Sequence, residues 1–244
     1  MSPPNDDGDV WISGPLYRRA CKHAEPTQEK RRATFGIDCA GGGADRGVID
    51  RRWAGSYATI KRIRSPERAV YVQAAQEAYE LAYQLGVREI ETCVDAGGGY
   101  GLGVIEGIRG LPVAALFETF VVCEVHSASP AHDKSRYADR CAEGYGNLRA
   151  DLLNGWALAD PPADLEIDLT HRRAGWAVIT ADGMKGQTER IRVRKCEPKP
   201  TFKARVGRSP DDGDAHALRQ VEQRVVEGAV SGRVAGTRDG ACIA

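Results

Sequence analysis

The last helix that the sequence predicts carries carboxylates where its core-facing stripe should be. Ser209-Pro210 reads as a helix start, with serine as the cap and proline at the first helical position, where no N–H is needed. From there Asp211, Asp214, Leu218, Val221 and Val225 follow steps of three, four, three and four, and so share one face. Arg219, Gln220, Gln223 and Arg224 point elsewhere. Two carboxylates thus continue a stripe that should be buried, and buried carboxylates need partners. A metal ion is one such partner; solvated surface charge is the competing reading.

The rest of the chain leaves room for that partner. Its 244 residues suffice for one substantial domain with its own core. Hydrophobic residues at 42% and charged residues at 28% are ordinary for a soluble globular protein. The formal net charge is zero, so any basic footprint for nucleic acid has to be local. No apolar run approaches the roughly 20 residues of a membrane span, and the polar "MSPPNDDGDVWISG" lacks the form of a signal peptide. Seven cysteines without a C-x-x-C pair point to free thiols in a reducing cytoplasm rather than to disulfides or structural zinc.

Residues 1–32 read as a loosely ordered leader and 227–244 as a Gly-rich flexible tail, flanking one domain over 33–226. Within it "TFGIDC" (34–39) suits a buried strand, and "RGVIDRRWAG" and "SYATIKRIR" continue as an antiparallel meander. Residues 65–86 form a helix capped by Ser65 and stopped at Gly86, with Val70, Ala74, Ala78, Leu81 and Leu85 on one face. "EIETCVDAGG" is a second core strand, "LGVIEGIRGL" a short helix and "PVAALFETFVVCEV" another strand. Residues 134–154 have helical spacing, and "GWAVIT" and "ERIRVRKCE" flank a "DGMKG" turn as a hairpin. This order predicts an α/β domain, a mixed sheet with helices on both faces.

Asp38 lies inside the first apolar strand, and Asp95 ends the second. Carboxylates at the ends of central strands, with others at a helix start facing the same sheet, can converge on one point. Such a set suits Mg²⁺ or Mn²⁺, which prefer hard oxygen ligands. Two ions about 3.5–4 Å apart can drive phosphodiester hydrolysis. From Arg190 to Arg208 there are eight Lys or Arg residues, Lys195, Lys199, Lys203, Arg205 and Arg208 among them, and one acid, Glu197. Beside a carboxylate cluster, such a run fits a phosphate backbone; taken alone it also fits a solvated hairpin. "AGGGADRG" and "AGGGYGLG" lack the nucleotide-loop pattern, and their acids precede the glycines rather than following about 20 residues later as a ribose ligand would. They read as permissive turns.

"FGIDCAGGGADRGVIDRR", "VDAGGGYGLGVIEGIRGL", "RYADRCAE" and "EPKPTFKARVGRSPDDGDAHAL" resemble the C-terminal nuclease domain of phage terminase large subunits, over about 33–226. The most specific match runs through Glu197, Lys199, Lys203, Arg205 and the segment 207–211. The resemblance implies a ribonuclease H-like (retroviral integrase superfamily) fold. It also implies an endonuclease that cuts concatemeric double-stranded phage DNA during packaging, in the host cytoplasm, with two Mg²⁺ or Mn²⁺ ions. By position Asp38 would bridge the ions, with Asp95 and Asp211 as further ligands and Asp214 beside them. Lys195, Lys199, Lys203, Arg205 and Arg208 would contact DNA. Full-length relatives carry an ATPase whose Walker A loop is absent here. That leaves a separately encoded nuclease subunit, a prophage fragment or an excised domain; a portal protein, a small terminase subunit and, for the first of these, a separate ATPase subunit are the implied partners. Gly213 and His216 depart from the family's small apolar residue and leucine, and the roles of Asp45, Asp212 and His216 stay open. The rival readings are a non-catalytic DNA-binding or packaging module and another ribonuclease H-like nuclease such as a junction resolvase.

Overall fold

A computed structural model describes residues 10–22, 30–42, 45–182 and 188–218. The chain enters through α1 (Gly14–Lys22), which buries Leu16, Tyr17 and Ala20, while Trp11 and Ile12 ahead of it are also buried. The loosely ordered leader expected over 1–32 does not hold for 10–22. Apolar residues scattered among charges give little local signal, yet together they fill one side of the core.

Strands β1 (Arg32–Asp38), β2 (Gly47–Trp53) and β3 (Ser56–Ile63) form the expected antiparallel meander. Helix α2 (Arg68–Gln84) follows, but its buried face is rotated from the expected one. Tyr71, Ala74, Ala75, Ala78, Tyr79 and Ala82 are buried, whereas Leu81 and Leu85 are 49% and 45% exposed. The tyrosines decide this. The Tyr79 ring packs edge-on against Phe35 and Phe120 at 5.0 and 5.3 Å between centroids, and its hydroxyl pairs with Thr92 Oγ1 at 2.8 Å. A large ring with a satisfied hydroxyl buries more apolar area than a leucine.

Next come β4 (Glu89–Asp95), α3 (Tyr100–Arg109) and β5 (Thr119–Val125). The strand expected from residue 112 begins only at Thr119, because Pro112–Leu116 forms a 3₁₀ turn. Helix α4 (Arg140–Leu153) starts later than expected, at a cap where Asp139 accepts from the Ala142 N–H at 2.8 Å. A two-residue strand β6 (Ala157–Leu158) and helix α5 (Ala163–His171) were not anticipated. The predicted hairpin is β7 (Ala174–Asp182) with β8 (Thr188–Cys196). Helices α6 (Lys199–Val206) and α7 (Asp211–Leu218) close the described chain. The further turns of the last helix expected to 226, and the tail, lie outside the described residues.

The main sheet has the order β5-β4-β1-β2-β3-β6 and is mixed: β1, β4 and β5 are parallel neighbours, and β2 is antiparallel to both β1 and β3. Phe35, Ile37, Ile49 and Val94 belong to one core with α2 and α3. A second core gathers Trp11, Tyr57, Tyr145, Leu148 and Leu169 with α1, α4 and α5. Helices therefore cover both faces, as the order of elements predicts. Helix α7 is pressed against β1 at Gly36, where a Cβ would lie 2.4 Å from the Ala215 carbonyl oxygen. Only a glycine permits that approach.

Candidate functional site

Because β1 and β4 are parallel with Ile37 opposite Val94, Asp38 and Asp95 emerge at the same end of the sheet. Asp38 is 7% exposed. Its carboxyl is pushed up to about 7 by burial, partly offset by the Lys199 charge and reinforced by Asp214, Asp95 and Asp211. Those four carboxylates thus share one electrostatic neighbourhood. Asp95 is more open; its Oδ1 accepts from the Gly97 N–H at 2.9 Å and its Oδ2 from the Ser127 hydroxyl at 3.3 Å. Asp211 at the start of α7 accepts from the Arg46 N–H at 2.9 Å, which ties the loop before β2 to the helix.

Asp214 is engaged on several sides. Tyr145 Oη donates to Oδ1 at 2.8 Å, Lys199 Nζ lies 2.9 Å from Oδ2, and Arg172 Nη2 stands 3.8 Å from Oδ1. Burial alone would raise its pKa, but the Lys199 and Arg172 charges and the hydrogen bonds from Lys199 and Tyr145 hold it below the usual range. The same ammonium is 3.6 Å from Asp38 Oδ2. Burial disfavours the charged lysine, yet Asp214 and Asp38 keep its pKa above normal. Lys199 therefore sits as a cation between two carboxylates. Among the described residues, no three His, Cys, Asp or Glu side chains stand close enough to hold a metal ion. The donors are all hard oxygens of the type Mg²⁺ or Mn²⁺ takes, and behind the dominant effect of burial the charges of Asp214, Asp95 and Asp211 also act on Asp38. In donor chemistry the set fits a divalent cation; in spacing it stands apart in this conformation.

The remaining expected contacts are placed as follows. Lys203 Nζ pairs with Asp45 at 2.7 Å, Arg205 with Glu197 at 2.7 Å and Arg208 with Asp168 at 2.5 Å. Lys195 is exposed on β8 and lines a cavity of about 440 Å³ together with Lys199, Arg172 and Asp214. Four of the five cations expected to meet DNA are thus already paired within the chain. Their pairing is non-local, so a count of charges along the sequence could not reveal it.

Two buried clusters hold α7 in place. Asp212, wholly buried, takes Arg62 in a two-pronged contact at 2.7 and 2.9 Å, with Arg46 at 3.5 Å. Asp168 of α5 accepts from the Asp212 and Gly213 N–H groups at 3.1 and 3.3 Å and so caps the helix from outside it. Its carboxyl is also pushed up to about 7 by burial, against the pull of Arg208. His216 is fully buried with Nδ1 2.9 Å from Asp50 Oδ2, while Asp50 Oδ1 accepts from the Gly36 N–H at 3.1 Å. The same Nδ1 also lies 2.9 Å from the Asp212 carbonyl oxygen, so His216 ties α7 to β2 from within the core. Arg172 and the Tyr145 hydroxyl were missed. Tyr145 lies within the 134–154 segment of helical spacing, and a buried hydroxyl needs an acceptor; "THRRAG" carries no signal that Arg172 is buried.

No family model and no curated protein matches the chain. Solved structures do. The nuclease domain of the large terminase subunit gp2 of bacterial virus Sf6 aligns over 86% of this chain and 98% of its own, at 14% identity and a TM-score of 0.58. A variant of that domain with manganese and beta-thujaplicinol gives the same figures: 14% identity, a TM-score of 0.58, and 86% and 98% coverage. The large terminase nuclease of thermophilic phage G20c with bound magnesium covers 87% of this chain and 96% of its own, at 11% identity and a TM-score of 0.50. The ribonuclease H-like fold that the sequence predicts is the fold found.

Proposed function

We propose that the chain is a divalent-metal-dependent DNA endonuclease of the terminase type, cutting concatemeric phage DNA during genome packaging. The observation that carries this reading is the electrostatic union of Asp38, Asp95, Asp211 and Asp214 at one end of the sheet, on a fold shared with terminase nucleases. Asp38, Asp95 and Asp211 would hold Mg²⁺ or Mn²⁺, as two ions, with Asp214 adjoining. When bound, such ions supply Lewis-acid neutralisation at the scissile phosphate.

What the chain's own groups do follows from their contacts. Asp38 presents its carboxylate from a rigid central strand, and the Arg46 N–H orients Asp211. Tyr145 and Arg172 hold Asp214, which in turn holds Lys199 against Asp38. That ammonium keeps part of the negative charge compensated, and a phosphate entering the site would meet a cation as well as carboxylates. Portal protein and small terminase subunit are the partners this reading calls for, in the cytoplasm of a host cell. Among the described residues no helix is long and apolar enough to cross a membrane.

The spacing of the carboxylates favours a second reading, a DNA-binding module without chemistry, because no ligating trio stands together among the described residues. Incubating the purified protein with supercoiled plasmid and Mn²⁺, with and without EDTA, separates the two. Nicked or linear product that EDTA abolishes supports the nuclease; intact plasmid at every Mn²⁺ concentration removes it.

A further inference from the structure

Over 176–180 and 190–194 one face of the β7–β8 hairpin carries arginines on every second residue. Its register sets Trp176 opposite Arg194, Val178 opposite Arg192 and Thr180 opposite Arg190, so these six side chains share one side of the ribbon. Trp176 is 53% and Val178 58% exposed. Arg192 and Arg194 lie over the Trp176 ring at 4.5 and 5.0 Å, and Arg194 also lies 5.2 Å from the Trp11 ring. Among these six residues there is no carboxylate. The face continues into a cavity of about 450 Å³ lined by Trp11, Ser13, Arg136, Tyr137, Arg149 and Arg194, again with no carboxylate in its wall. Arg136 has a distant partner in Asp133 at 3.9 Å. Among the described residues Arg149, Arg190, Arg192 and Arg194 make no salt bridge. Burial, together with the Arg149 charge, lowers the pKa of Arg194, which marks like charges held close.

We infer that this face, and not helix α6, is where the backbone of duplex DNA docks, with Arg149, Arg190, Arg192 and Arg194 contacting phosphates and Trp176 holding the guanidinium groups in place. The inference rests on DNA being the substrate, as proposed above. Two features favour DNA over an acidic protein. Arginines at every second residue of a strand repeat at about 6.8 Å, so Arg190 to Arg194 spans about 14 Å, the axial rise of about four phosphates on one strand. Guanidinium groups pre-oriented on an aromatic face meet phosphate oxygens two at a time. By contrast, Lys203, Arg205 and Arg208 would have to leave carboxylate partners before neutralising a phosphate.

The test is fluorescence anisotropy of a short duplex of arbitrary sequence, titrated across salt in EDTA with the full chain. Wild type should bind with a steep salt dependence. Arg192→Ala and Arg149→Ala should each reduce the slope of log affinity against log salt by about 0.9, and the double variant by about 1.8. Both side chains are exposed, so thermal melts should match wild type. Arg192→Lys should keep the slope. An unchanged slope in the double variant overturns the inference, and so does a wild type that does not bind duplex. Poly-glutamate competing as well as DNA overturns it in favour of an acidic protein. Plasmid cleavage is scored separately. Cleavage that ignores both arginines leaves the nuclease and removes the surface; a changed slope without cleavage supports the surface and removes the nuclease.

Discussion

Replacing Gly36 with alanine tests whether the close seating of α7 on β1 builds the site. The new Cβ would lie 2.4 Å from the Ala215 carbonyl oxygen and 2.6 Å from Asp50 Oδ1, where ordinary contact begins near 3.4 Å. One of these must retreat by about 1 Å, in an interior packed too densely to absorb it. Overpacking of this kind costs about 1–3 kcal/mol. The Gly36 N–H bond to buried Asp50, at 3.1 Å, is strained in the same step and adds about 1 kcal/mol if lost. Urea denaturation should therefore show a loss of about 2–4 kcal/mol. The rate should fall further than stability explains, because α7 carries Asp211 and Asp214. A shift of about 1 Å in positioned groups costs about 100-fold. Plasmid nicking in Mn²⁺, measured where circular dichroism shows the variant folded, should drop by about that factor. Gly155→Ala is the control: its φ is +92° with nothing within 4 Å, so it carries backbone strain of about 1–2 kcal/mol without moving α7. A Gly36→Ala protein with the wild-type urea midpoint and nicking rate would refute the reasoning.

Asp38→Asn should abolish cutting and leave duplex affinity intact or higher, since it removes a ligand and a negative charge near phosphate; normal cutting by this variant would sink the site assignment. With Asp38 raised to about 7, Mn²⁺ has to displace a proton below neutrality. Affinity by calorimetry should be weaker at pH 6 than at pH 8, with net proton release, and a pH-independent value would exclude Asp38 as a ligand. In metal-free protein, Asp38 and Asp168, both raised to about 7, bind protons in the folded state that the unfolded chain, near 3.8, has given up. Stability should consequently fall as pH rises from about 4 to about 7, and urea midpoints across that range that stay flat or climb would contradict it. Arg62→Ala should destabilise by about 3 kcal/mol in the same assay, because Asp212 stays buried with only the Arg46 contact at 3.5 Å; a loss below about 1 kcal/mol would mean that Arg46 suffices.

The sheet and the carboxylates at its strand ends were readable because β1 is a short apolar run whose lone acid stands out, and β4 ends at Asp95 directly before a run of glycines. The strand-forming pattern is local, and so is the Ser-Pro start of α7. What escaped depends on partners far along the chain. Helix α6 lay unassigned within the basic run, because its charges and Pro200 hide a single buried anchor, Phe202. The partners that hold Asp214, namely Tyr145, Arg172 and Lys199, come from three other segments. The cations after Glu197 looked available, and three of them are spent on Asp45, Glu197 and Asp168. On α2 the stripe was phased by leucines, while the tyrosines turned the helix. Arg192 and Arg194 lay within the basic run, but their shared face with Trp176 exists only once β8 pairs with β7.

The contact between Gly36 and Ala215 joins the first strand of the sheet to the last described helix. Loop closure over nearly the whole described chain must be completed before that contact can form, and contacts of such sequence separation are late in folding. During synthesis the meander, α2 and β4 can assemble while α7 has not yet been made. Until it docks, Asp38 faces neither Asp211 nor Asp214, and Lys199 has no Asp214 to bridge. On the nuclease reading proposed above, the carboxylate set is incomplete until α7 docks, and cutting competence would arrive with that step.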